Sequence, residues 1–358
     1  MHATRNIARR DQLLGQLAHM VPSGPNADVV PALERFVAER QLDRVSARAA
    51  WLVSVGQLDA RDLRQLLPVT VGIVARNQAA APAGALGSAV RRLTTGVTVG
   101  RYTVETLLGT GGSGAVYAAR HPALGIRVAV KVVADPARAA AEVDSLRAVI
   151  HRNVPRLWDT GVSPFGSYLV LEFAGGGSLS DRLKRNRLVA PRTAFRVARQ
   201  VLRGLRAAQR VGYTHGDVKP GNILRNGRDF QLADFGLAER IGGGGVPVER
   251  VYGSWSYLAP ERFADAGDSR GDLYSLALTL CHLLTGQPPV AATTFAAAAR
   301  EHRKLQLEPL HWTVPGVDRD QSAAIRRMAA QDPADRPTDY AELIATFRGG
   351  IDRAPESE

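Results

Sequence analysis

The sequence predicts an α+β protein preceded by a small α-helical domain. Three observations carry that reading. From Gly100, in "GRYTVETLLG", apolar residues alternate as they do in β-strands. Further along, the pattern turns to long amphipathic helices. Residues 1–77 show helical spacing and helix caps instead. With 358 residues, 45% of them hydrophobic, the chain can bury a large core and has room for two or three domains.

At the N-terminus, "NADVVPALERFVAER" offers Asp28 as a cap and sets Val30, Leu33, Phe36 and Val37 at three- and four-residue spacing. "SARAAWLVSVG" is apolar enough for a buried helix closing on Gly56. "LDARDLRQLL" has Asp59 as a cap and places Leu63, Leu66 and Leu67 on one face. Three or four short packed helices are expected over 1–77, with no catalytic grouping among them. Residues 78–98 are rich in Ala, Gly and small polar residues, a linker composition. The main domain follows over 99–349, and residues 350–358 form a tail expected to fray.

Composition excludes several classes. The single cysteine, Cys281, rules out a disulfide framework and fits a reducing compartment. No apolar run is long enough to span a membrane, and the first twenty residues lack the apolar centre of a signal peptide. A cytoplasmic protein is expected. The formal charge of +12 comes mostly from arginines scattered among acids, without a basic block, finger spacing or interleaved aromatics. No nucleic-acid partner is expected.

The first chemical signal is "LLGTGGSGAVYAA", in which Gly109, Gly111 and Gly114 form a G-x-G-x-x-G. Alone it could equally open a dinucleotide-binding unit or be a plain turn. A dinucleotide site needs the glycines to lead into a helix, yet "AVYAARHPALGIRVAVKVV" reads as two β runs joined by a turn. A hairpin whose backbone N–H groups approach phosphate oxygens is favoured. Lys131, in "VAVK", lies on the second run, where burying an unpaired ammonium would be costly. Phosphate and a carboxylate would pair it. The candidate carboxylate is Glu142, on a helix that starts at Asp135 and Pro136, with Asp144 as its rival. In "HGDVKPGN", Asp217, Lys219 and Asn222 share one short loop, and "ADFG" supplies Asp234 twelve residues beyond Asn222. Asn222 and Asp234 are oxygen donors suited to Mg²⁺, and Asp217 can orient a hydroxyl and accept its proton.

In this order and spacing, the set resembles the eukaryotic-like (Hanks-type) protein kinase family, in its bacterial Ser/Thr branch. The resemblance covers about residues 100–348 and extends to "YLAPE" with Glu261, "GDLYSLALTLCHLLTG" with Asp272 and "DPADRP" with Arg336. It implies a bilobal kinase fold, with a β-rich small lobe over 99–171 and a helical large lobe over 172–349. It further implies a protein serine/threonine kinase using ATP and Mg²⁺, with Mn²⁺ as an alternative. Gly109, Gly111, Gly112 and Gly114 would cover the ATP phosphates. Lys131 would contact them while pairing with Glu142. Asp217 would be the base or positioning group, Lys219 would lie near the γ-phosphate, and Asn222 and Asp234 would hold the metal. Leu108, Val116, Ala129 and Leu224 would line the adenine pocket. Leu171 would be the gatekeeper, with backbone groups of Glu172 and Ala174 at the hinge. Leu146, Leu157, His215 and Phe235 would pack as a structural column, and Glu261 with Arg336 as a structural ion pair.

The chain departs from the family at Gly216, where an arginine usually precedes the aspartate. That arginine often receives a phosphate on the activation segment. From Leu237 to Val251 this segment has no Ser, Thr or Tyr. Its first hydroxyls are Tyr252, Ser254 and Ser256. Receiver and phosphate are missing together, so an active enzyme that needs no phosphate there is expected. "GGGG" at 242–245 predicts a mobile loop tip. The interval from Lys131 to Glu142 is short for the family, so the helix carrying Glu142 should have lost its leading turns. The alternative is an ATP-binding pseudokinase scaffold. In either case the N-terminal domain is expected to dock a protein partner or self-associate, and the protein substrates are unspecified.

Overall fold

The computed structural model describes residues 93–348 apart from 113, 186–187, 243–254, 265–268 and 293. The helical expectations for 1–77, most of the linker, the tail, Tyr252 and Ser254 lie outside the described residues. The chain separates into two compact units. One comprises the described residues up to Leu108, with Ala115–Ala134 and Asp159–Val170. The other comprises Gly109–Gly114, Asp135–Trp158 and the chain from Leu171 onward.

Strands β1 (Thr98–Val99), β2 (Tyr102–Gly111), β3 (Gly114–Arg120) and β4 (Arg127–Val133) begin the first unit. In β2 the apolar–polar alternation appears directly as burial: Tyr102 and Val104 are buried and Thr103 is exposed. β4, "RVAVKVV", is buried from Val128 to Val133, Lys131 included. After β4, Asp135 caps helix α1 (Pro136–Ala148) by accepting from the N–H of Ala137 at 2.9 Å and of Arg138 at 3.4 Å, with Pro136 in the first helical position. Strands β5 (Leu157–Ser163) and β6 (Gly166–Glu172) complete a six-stranded sheet ordered β1-β2-β3-β4-β6-β5.

The second unit is mostly helical. Helices α2 (Leu179–Lys184) and α3 (Pro191–Arg210) lead to strand β7 (Tyr213–Thr214), and a 3-10 turn at Pro220–Asn222 leads to the hairpin β8 (Ile223–Asn226) and β9 (Asp229–Leu232). α3 buries Ala194, Phe195, Ala198, Val201, Leu202, Leu205 and Ala208, the stripe that a 3.6-residue period produces. Strand β10 (Glu239–Arg240) pairs antiparallel with β7. Helix α4 (Arg270–Thr285) is buried on every side through Leu273–Leu284 apart from His282, so it lies at the centre of the unit. It stops at Gly286, whose φ of +79° is the left-handed cap that a Cβ would strain. Helices α5 (Phe295–Lys304), α6 (Leu310–Thr313), α7 (Arg319–Met328) and α8 (Tyr340–Thr346) follow. Phe347 stacks on Phe195 with ring centroids 5.6 Å apart, joining the end of α8 to α3. Each fully buried leucine of α4 contributes about 1.5–3 kcal/mol, so Leu276, wholly buried, is a site where truncation to alanine would cost about 2–5 kcal/mol.

Candidate active site

The "THGDVKPGN" loop runs from β7 into the 3-10 turn, and buried acceptors fix its backbone. Asp272, near the start of α4 and 4% exposed, accepts from the N–H of His215 at 2.7 Å and of Gly216 at 2.8 Å. Burial pushes the Asp272 carboxyl up from its ordinary value. The two amide bonds and Arg262 act in the opposite direction. His215 is fully buried, and its Nε2 lies 3.1 Å from the Ala233 carbonyl, an acceptor, so Nε2 carries the proton. Its Nδ1 then accepts from the N–H of Asp217 at 3.2 Å. The ring meets Phe235 edge-on, with centroids 4.7 Å apart.

Gly216 has a backbone role that sequence reasoning missed. Its φ is +77°, and a Cβ there would fall 2.7 Å from the carbonyl oxygen of Leu237. The loop is held between α4 and the segment after "DFG" in a conformation that suits glycine. The only local signal was the glycine itself.

The residues brought together are Asp217, Lys219 and Asn222. Lys219 Nζ donates to Asp217 Oδ2 at 2.7 Å. Asn222 Nδ2 donates to that same oxygen at 2.9 Å and to the Asp217 carbonyl at 2.8 Å. Oδ1 of Asp217 accepts no hydrogen bond from the described residues, so one lone-pair face of a fixed carboxylate stays open. Both partners of the Asn222 amide nitrogen are acceptors, so its Oδ1 is turned away from them. The carbonyl of Asn222 accepts from the N–H of Ala233 at 2.8 Å, which brings the residue before Asp234 against it. Asp234 has a φ of +66°, the one positive value outside glycine among the described residues. Such strain costs about 1–3 kcal/mol and clusters at functional sites. An amide oxygen and a carboxylate are hard donors, and they fit Mg²⁺, which takes few protein oxygens and completes its shell with phosphate and water.

In the first unit, β3 and β4 pair so that Val116 faces Lys131 and Ala118 faces Ala129. Val116, Ala129 and Lys131 therefore share one sheet face. Lys131 is 2% exposed, whereas Leu108 at the end of this unit is 49% exposed. β2 and β3 form the expected hairpin, and the glycines do not lead into a helix, which removes the dinucleotide reading. A Cβ at Gly109 or Gly111 would meet nothing within 4 Å, so the space above those backbone groups is open. Glu142, also 2% exposed, occupies the seventh position of α1, in the second unit.

Leu171 is buried near the end of β6. The N–H of Glu172 is already used by the Arg156 carbonyl at 2.8 Å, while that of Ala174 has no acceptor among the described residues. The Glu172 side chain accepts from Asn226 at 2.9 Å and Gln231 at 3.0 Å, which ties it to the β8–β9 hairpin that carries Leu224. Arg336 is buried and forks onto Glu261 at 2.6 and 2.8 Å, the ion pair expected from sequence. A second pair was not anticipated. Arg262 Nη2 lies 3.3 Å from Glu239 Oε1, their side chains only 10% and 14% exposed. It connects β10 to the "APER" turn.

A protein kinase domain model matches residues 102–346. The chain is 34% identical over 282 residues to the serine/threonine-protein kinase PknJ of Mycobacterium tuberculosis, covering 73% of this chain and 48% of that protein. It is 32% identical over 262 residues to the serine/threonine-protein kinase PknB of the same organism, covering 68% and 42%. To the serine/threonine-protein kinase Pkn1 of Myxococcus xanthus it is 33% identical over 273 residues, covering 72% and 38%. The chain spans about half the length of the curated relatives it matches, or less. It belongs to the protein kinase family. No helix of the described residues is long and apolar enough to cross a membrane.

Proposed function

We propose that this member of the protein kinase family transfers the γ-phosphoryl group of ATP to serine or threonine hydroxyls of a protein. The observation that carries this reading is the Asp217 carboxylate, held through Oδ2 by Lys219 and Asn222 and open at Oδ1. A substrate hydroxyl donating to Oδ1 is oriented for in-line attack. The hydroxyl oxygen forms a bond to the γ-phosphorus as the bond to the β–γ bridging oxygen breaks, and the hydroxyl proton passes to Asp217. Lys219, in contact with Asp217, offsets charge on the transferring group. Lys131 is assigned to the α- and β-phosphates and Glu142 to the role of partner carboxylate, as the resemblance implies. Mg²⁺, bound through Asn222 and Asp234, would neutralise charge on the β- and γ-phosphates. Most of the catalysis is positioning and electrostatics rather than covalent chemistry. The apolar residues Leu108, Val116, Ala129, Leu171 and Leu224 are assigned to adenine, with the Glu172 carbonyl and the Ala174 N–H at the hinge. The names of the relatives, and Lys219 two residues beyond Asp217, favour Ser/Thr over Tyr.

Activity is further proposed to be independent of phosphate on the activation segment. Support comes from three features. Glycine stands where the phosphate-receiving arginine usually is, the β7–β10 pairing holds the start of the segment, and Glu239 already places a carboxylate on Arg262. A glutamate there does permanently what an added phosphate does on demand. Residues 1–77 are read as a docking or self-association module.

The test uses radiolabelled ATP and a generic acceptor protein, with Asp217→Ala and Lys131→Ala alongside the wild type. The wild type labels the acceptor and both variants lose almost all of that activity. Equal labelling by Asp217→Ala excludes the mechanism, and a wild type that binds ATP without labelling supports the scaffold reading.

A further inference from the structure

A cavity of about 320 Å³ opens in the second unit between the start of α2, the first turns of α3 and the β8–β9 hairpin. None of the residues assigned to phosphotransfer lines it. Arg182, Arg185, Arg196 and Arg225 do, and each is cationic at any physiological pH. Asp181 is the carboxylate in the lining, and its Oδ2 already accepts from the Ser178 N–H at 3.1 Å and hydroxyl at 2.7 Å in a capping box. None of the four arginines has an ion-pair partner within 4 Å among the described residues.

Two of those arginines are also incompletely satisfied. Nε of Arg182 and Nε of Arg196 are buried with no hydrogen-bond partner. Leaving a buried charged donor unmet is unfavourable, so such a group ordinarily meets protein, water or a bound anion. The guanidinium groups are also partly positioned in advance. Arg196 lies over the Phe230 ring at 5.7 Å, Arg182 Nη2 reaches the Leu188 carbonyl at 3.4 Å, and Arg225 Nε donates to the Gly227 carbonyl at 3.1 Å.

We propose that this cavity binds the phosphoryl group of a phosphoserine or phosphothreonine side chain presented by a polypeptide. A phosphoryl group brings close to two negative charges and three acceptor oxygens, which matches several guanidinium forks better than a single carboxylate does. The volume exceeds what a bare phosphate needs, and Leu179 and Phe230 add apolar wall for the side chain and backbone that carry it. The choice of phosphoserine or phosphothreonine rests on the proposed activity, whose product is that group. The site would hold a substrate already phosphorylated once while another hydroxyl meets Asp217, favouring repeated modification of one protein.

The test measures binding in the absence of ATP, so it does not depend on catalysis. The full-length protein is titrated with a fluorescent degenerate heptapeptide pool with phosphoserine fixed at its centre. The same pool with unmodified serine, O-phosphoserine alone and inorganic phosphate serve as comparison arms. The phosphorylated pool is expected to bind about tenfold or more tighter than the other three. Arg196→Gln and Arg182→Gln are expected to remove that advantage, while labelling of a short unphosphorylated acceptor stays within about twofold. Arg185→Gln, at an exposed position, gives a smaller loss in a protein whose melting is unchanged, which keeps the test valid if the half-buried Arg182 and Arg196 variants fold poorly. Equal binding of the two pools overturns the proposal, as does full retention of the preference in Arg196→Gln and Arg185→Gln. Inorganic phosphate or O-phosphoserine competing as well as the peptide overturns the polypeptide source. None of these results bears on whether the protein is a kinase.

Discussion

Replacing Gly216 with alanine isolates the backbone role of that position. A left-handed conformation costs a residue with a Cβ about 1–2 kcal/mol. The new atom would also stand 2.7 Å from the Leu237 carbonyl oxygen, a backbone atom that cannot rotate away. Some of the hydrogen bonding to Asp272 must yield, so about 2 kcal/mol is a lower expectation. For a domain of this size, that lowers the melting midpoint by about 4–8 °C. Leu237 follows Asp234 by three residues, so the displacement also reaches the aspartate proposed to hold Mg²⁺. Phosphotransfer should therefore fall as well, by about tenfold or more. The assay pairs thermal melting with initial rates at saturating ATP. Gly216→Arg carries the same Cβ and should be no better than alanine. An unchanged midpoint in Gly216→Ala, or a gain of activity in Gly216→Arg, refutes the reasoning.

Other outcomes follow from contacts already described. Glu239→Gln keeps a hydrogen-bonding group but removes the carboxylate that ion-pairs with Arg262, so phosphotransfer by unphosphorylated protein should fall while ATP binding, read by fluorescence titration, holds. Arg336→Met leaves the Glu261 carboxylate without its partner and should cost about 3–5 kcal/mol in urea denaturation. His302 is fully buried between the Tyr274 hydroxyl at 2.8 Å and the Trp255 carbonyl at 2.6 Å, and burial holds its pKa below the ordinary value, with the Trp255 bond and Glu301 opposing. The unfolded chain therefore takes up this proton first. The stability from keeping His302 neutral is complete above about pH 6.5 and is lost as pH falls toward the folded pKa, by up to about 1.4 kcal/mol per pH unit. Denaturation between pH 7.5 and 5.5 should show that slope, and His302→Gln should flatten it.

The parts of the site legible in the sequence were those encoded by short spacing. Asp217, Lys219 and Asn222 lie within one loop, and they do form a single hydrogen-bonded group. The Asp135–Pro136 helix start and the glycine hairpin were equally local. What escaped notice depends on residues far apart in the chain. The approach of Leu237 to Gly216 spans a 3-10 turn and the β8–β9 hairpin, and the Glu239–Arg262 pair joins a strand to a distant turn. The arginine cavity draws on α2, α3 and β8, so no window of sequence contains its pattern. Gly216 was read as the loss of a side chain. Its backbone angle adds a second reason for glycine, which no count of motif residues could supply.

The most direct test of the account is phosphotransfer by protein stripped of phosphate. The full chain is treated with phosphatase, mass spectrometry confirms that Tyr252, Ser254 and Ser256 are unmodified, and the first turnovers are timed before new phosphate accumulates. The account predicts an initial rate equal to that of untreated protein, with no lag. A lag that shortens as phosphate appears on the activation segment would contradict it.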